Sequence, residues 1–113
     1  MLDVSFVDCS EIRMGSPFGV CAVVLTGKWV PDVPRDGWQN LSATSPDGRF
    51  SALLRWDTPH NDPGFKIAII DSIGQTVDWS ERHPGCCESI AWHDGAFTWR
   101  AHSGSIAASH SDT

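Results

Sequence analysis

His83-Pro84-Gly85-Cys86-Cys87, with His93 a little further on, is the densest group of soft metal ligands in the chain. Two thiolates and two imidazoles form a donor set that zinc takes as a tetrahedron. The adjacency of the cysteines works against it, because neighbouring side chains on a strand point to opposite faces and do not converge on one ion. No metal site is expected, with one cysteine on the core and the other at a loop edge. The same residues also offer a nucleophile, since His83, His93 or His102 can supply the imidazole that lowers a thiol pKa. No nucleophile motif surrounds Cys86 or Cys87, and the chain has no HExxH, no GxSxG and no glycine-rich phosphate loop opening a helix.

The carboxylates tell a similar story. Asp57, Asp62, Asp71 and Asp78 stand in or beside turn segments, where a short carboxylate caps backbone amides, so they read as turn chemistry and not as an acid-base pair. Asp57-Thr58-Pro59-His60-Asn61-Asp62 carries oxygen donors but lacks the alternation and terminal glutamate of a calcium loop. No catalytic residue and no cofactor is therefore expected. A small hydrolase or ligand-binding domain built on His60, His83 and the cysteines is the alternative.

The chain of 113 residues fits one domain, large enough to bury roughly 60–70% of the surface its unfolded form exposes. Eight Lys and Arg against 14 Asp and Glu leave a net charge of -6, which opposes phosphate backbones and anionic membranes and favours a basic protein partner. Six tryptophans beside no tyrosine are unusual in so short a chain. Trp56, Trp92 and Trp99 lie in or at the ends of apolar runs and read as packing, whereas Trp29, Trp38 and Trp79 flank loops, where tryptophan anchors interfaces. Met1 to Arg13 carries Asp3, Asp8 and Glu11 and no long apolar run. A cytoplasmic setting follows as the expectation, with Cys9 and Cys21 as reduced, buried thiols.

These residues must be held by strands. Thr44-Ser45-Pro46-Asp47-Gly48, Gly15-Ser16-Pro17-Phe18-Gly19 and Trp92-His93-Asp94-Gly95 are turn signals, each running into a β-branched or aromatic segment. Strands are expected at Leu2–Val7, Val20–Thr26, Trp38–Ala43, Arg49–Trp56, Phe65–Asp71, Thr76–Trp79, Ser89–Trp92 and Ala96–Ala101, with no helical period anywhere and a frayed tail from Ser109. The fold class expected is all-β: an antiparallel meander, sandwich or propeller-blade-like sheet with little or no helix, as a single domain over 1–113.

In a meander, connections alternate between ends. The short turns at 16–19, 45–48, 72–75 and 93–95 then gather at one end, and the long connections Lys28–Gly37, Asp57–Gly64 and Ser80–Glu88 at the other. Trp29, Asp32, Asp36, Asp57, Asp62, Trp79 and Glu81 are the candidate partner-binding residues of that long-loop end.

Ser45-Pro46-Asp47-Gly48-Arg49-Phe50, with Lys66-Ile67-Ala68-Ile69-Ile70-Asp71 after it, resembles the start of a blade in TolB-like β-propellers. The likeness covers Leu41 to Val77 and implies a four-stranded antiparallel meander, the chain being too short for a propeller. By size, acidity and lack of visible chemistry the chain also resembles bacterial immunity proteins. That resemblance implies a non-catalytic module that covers the active site of a basic toxin domain, with no nucleic-acid or membrane partner. Self-association through an exposed sheet edge is the third reading.

Overall fold

The computed structural model describes residues 2–11, 19–58 and 63–101. Among the described residues nine strands follow one another: β1 (Asp3–Glu11), β2 (Gly19–Thr26), β3 (Trp38–Thr44), β4 (Phe50–Trp56), β5 (Gly64–Asp71), β6 (Thr76–Trp79), β7 (His83–Pro84), β8 (Cys87–His93) and β9 (Ala96–Ala101). The fold is all-β and every pairing is antiparallel. No helix among the described residues is long and apolar enough to cross a membrane.

Strands β1 to β6 pair in chain order, and β8 with β9 forms a separate hairpin. The centre is β4 and β5, joined by seven successive pairs from Phe50↔Asp71 to Trp56↔Phe65. Their near-continuous apolar runs have a direct cause: these strands are buried on both faces. Ala52, Leu54, Phe65, Ile67 and Ile69 face the β8–β9 hairpin, packing on Cys87, Ile90, Phe97, Trp99 and Ala101. Leu53, Ala68 and Ile70 face the other way, where Leu2, Val4, Phe6, Val23 and Leu25 of the β1–β2 hairpin close over them with Trp38. Two hairpins thus clamp one sheet.

The turns obey their residue chemistry. Gly48, Gln75, Asp94 and Gly95 all have positive φ, the condition that tight hairpin connections impose. The Phe50↔Asp71 pair brings turns 45–48 and 72–75 to one end, and Phe50 stacked on Trp92 at 5.9 Å brings turn 93–95 there too.

The structure corrects three expectations. Strand β1 does not stop at Val7; its ladder with β2 breaks between Val7 and Ser10 and then resumes. The segment Ser80–Glu88 is not one long loop, because His83–Pro84 continues along the same edge of β5 that β6 occupies, and β8 begins at Cys87. Cys9 and Cys21 are not reduced thiols. The bulge in β1 sets Cys9 opposite Cys21 with a Cα–Cα distance of 4.1 Å, and the two are joined as a disulfide. The turn residues 16–18, His60, Asp62 and the tail from Ser109 lie outside the described residues.

Candidate functional site

The long-connection end is built around Trp38, which is fully buried. Its indole N–H donates to the Pro34 carbonyl at 2.7 Å, and Trp79 of β6 stacks on it with ring centroids 5.8 Å apart. Trp79 sits 42% exposed, so one face of its ring rests on the core while much of the rest meets solvent. Trp29 packs against the same cluster. Two of the three loop-flanking tryptophans are therefore at the surface margin, and the third, Trp38, belongs to the core beneath them.

The connection from Gly27 to Gly37 is held by its own carbonyls. Besides Pro34, the Arg35 carbonyl accepts from Val23 N–H at 2.8 Å, the Asp36 carbonyl from Arg55 Nε at 3.2 Å, and the Gly37 carbonyl from Trp56 N–H at 2.8 Å. Gly37 has φ +90, a conformation that favours glycine. Four consecutive anchors fix residues 34–37 of this loop, and composition alone gives no sign of them.

Among the expected carboxylates, Asp32 and Asp36 are exposed, and Asp36 pairs with Arg35 at 3.1 Å. Arg35 also reaches Asp8 on β1 at 3.2 Å. Asp57 plays a structural part, since its carboxylate pairs with Arg82 Nε at 3.2 Å and its N–H donates to the Gly64 carbonyl at 2.8 Å. The Arg82 guanidinium lies over Gly64, where a Cβ would come within 2.4 Å of it and make the arginine shift aside. Glu81 is exposed, and its carbonyl accepts from the Ser80 hydroxyl at 2.8 Å. Asp62 is outside the described residues. The end also carries cations, because Arg55 and Lys66 stand opposite each other across β4 and β5 on the same side as Trp38.

Of the metal and nucleophile candidates, His93 stands well apart from Cys87. His83 is tilted between the rings of Phe65 at 5.4 Å and Trp99 at 5.1 Å. His93 lies at the far end of β8, beside the turn, and pairs with Asp94 at 3.3 Å. About 20 Å of strand separates it from Cys87 at the usual rise per residue. Burial pushes the Cys87 thiol up to about 12, and the group donates to the Ser89 carbonyl at 3.2 Å. At neutral pH it is a thiol and a poor nucleophile. No group of three or more metal-ligating side chains occurs among the described residues.

A cleft of about 340 Å³ opens beside the disulfide, lined by Cys9, Gly19, Gln39, Asn40, Leu41, Cys87 and Glu88. Its floor is Gln39, only 4% exposed, whose amide N–H donates to the Cys87 carbonyl and whose amide oxygen accepts from the Cys87 N–H at 3.3 Å. Comparison with known proteins finds no matching family model, and no curated protein or solved structure matches at a significant level.

Proposed function

We propose that this chain is a non-catalytic protein-binding module, and specifically an inhibitor that covers a basic toxin domain in the manner of bacterial immunity proteins. The observation that carries the reading is Trp79, a half-exposed indole stacked on fully buried Trp38 beside a loop anchored at four consecutive carbonyls. A large, rigid aromatic on a fixed support loses little entropy on binding, which is the profile of an interface anchor. The exposed carboxylates of Asp32, Asp36 and Glu81, in a chain of net charge -6, favour a basic partner and fast association by steering. Asp57 stands with these candidate contacts while also pairing with Arg82.

The cytoplasmic expectation comes from the absence of a long apolar run in Met1 to Arg13, and it carries reduced Cys9 and Cys21 with it. A disulfide between them favours an oxidising compartment instead.

The test is a search of the reading frames beside this chain's gene for a basic toxin domain, followed by binding kinetics with that domain; no such frame, or no binding, overturns the reading. Trp79→Ala is expected to speed dissociation by about tenfold or more, as hot-spot truncations do. Reversing Asp32 and Glu81 to lysine is expected to slow association most strongly at low salt. Unchanged kinetics in both variants, with the fold intact, overturns the assignment of this end as the binding face.

A further inference from the structure

We propose that the Cys9–Cys21 disulfide is a reducible latch, and that thiol–disulfide exchange with an external dithiol at Cys9 frees the outer part of β1 from the Trp38 face of the sheet. The backbone ladder between β1 and β2 is broken where the disulfide lies. The β1–β2 ladder is interrupted between Val7 and Ser10, and Asp8 inside the interruption has φ +52, a left-handed conformation that costs a non-glycine residue energy. Where the ladder fails, the sulfur bridge holds. Cys21 is also the residue of β2 that pairs with Trp38, the single register pair recorded between β2 and β3. The disulfide therefore ties β1 to the point where its hairpin joins the rest of the sheet.

Past that point, Leu2, Val4 and Phe6 lie over Trp38, Leu53, Ala68 and Ile70. Besides its pairing with β2, this part of the chain has the Asp8–Arg35 ion pair, whose side chains are 74% and 59% exposed. Such a pair contributes little. Cross-linking residues separated by 12 positions removes substantial freedom from the opened state, so losing the bridge favours opening of the strand it restrains.

Access is asymmetric: Cys9 is exposed and Cys21 is buried. A dithiol's thiolate attacks the Cys9 sulfur, the Cys9–Cys21 bond breaks, and Cys21 leaves as a thiolate that takes up a proton. The second thiol of the reagent then attacks the mixed disulfide and releases Cys9. The dithiol is oxidised to its disulfide, and two electrons and two protons pass to the cysteine pair. Cys87, buried and held as a thiol, does not compete in the exchange.

The experiment is amide hydrogen exchange on the full chain, oxidised and after treatment with dithiothreitol. Peptides covering 3–7 and 22–26 are expected to exchange on the order of tenfold or more faster when reduced, with 50–56 and 64–71 unchanged and protection restored on reoxidation. The Cys9→Ser/Cys21→Ser double variant is expected to reproduce the reduced pattern without reagent. Equal protection of 3–7 in both states overturns the latch. So does acceleration spread evenly over the whole chain, which marks loss of global stability. Non-reducing peptide maps in which Cys9 and Cys21 are unlinked overturn it as well.

Discussion

Asp71 gathers four hydrogen bonds at the short-turn end. It accepts from Arg49 Nε at 3.0 Å and Arg49 Nη2 at 2.9 Å, and from the N–H groups of Ile73 at 3.1 Å and Gly74 at 2.9 Å. The Arg49 guanidinium, followed by the Gly74 N–H, holds its carboxyl down at about 2, below the usual carboxylate range near 3.9. Because the folded-state pKa is the lower one, the stabilisation is fully present above the unfolded-state value and is lost as pH falls through 4 towards 2. Asp71→Asn is therefore expected to lower the thermal midpoint by on the order of a few degrees at pH 7. The same variant flattens the acid limb of the stability curve, and thermal unfolding followed from pH 7 to pH 2 checks both. The cap on the turn was legible from an aspartate preceding Ser-Ile-Gly. Its bond to Arg49 was not, because that contact depends on the register that pairs Phe50 with Asp71.

At the scale of elements, strands built from β-branched and aromatic runs were readable, since each carries its own period and its own turn. Strand β7 was not, being two residues long and ending in proline. It exists because Ser80 bridges the gap after β6, its N–H donating to the Ile67 carbonyl and its hydroxyl accepting the Ile67 N–H, both at 2.9 Å. The seating of β8 on β3 was equally silent in the sequence, because it hangs on the Gln39 amide satisfying both backbone groups of buried Cys87. Leaving those groups without partners costs about 1–3 kcal/mol each. Gln39→Leu is accordingly expected to lower stability by roughly 2–4 kcal/mol in urea titration. Gln39→Glu is expected to weaken it too, since a carboxylate has no N–H for the Cys87 carbonyl.

For the molecule as a whole, consecutive residues of β4 serve opposite cores: Leu54 belongs with the β8–β9 hairpin and Leu53 with the β1–β2 hairpin, both fully buried. Either leucine cut to alanine is expected to cost about 2–5 kcal/mol. The regional response separates them. Hydrogen exchange should quicken in 87–101 for Leu54→Ala and in 3–11 with 19–26 for Leu53→Ala, and identical patterns would show that the two faces form one cooperative unit. The meander order was readable from turn spacing and strand signals. The way the terminal hairpins close on opposite faces was not, because both read as equally apolar, and the pairing of cysteines 12 residues apart needed the bulge in β1 to bring them together.

Burial of β5 on both faces has a consequence for the unfolded chain. Phe65-Lys66-Ile67-Ala68-Ile69-Ile70 combines high β-propensity with a single charge and no proline, the composition that stacks into cross-β fibrils when bare. In the native sheet its edges are taken by β4 and by β6 with β7, and Lys66 is the exposed residue of that run. Facing Arg55, it gains little from its neighbour. Its place is that of a gatekeeper: in-register copies of this segment would stack ammonium upon ammonium, a repulsion that protects the chain before its own strands arrive to cover it.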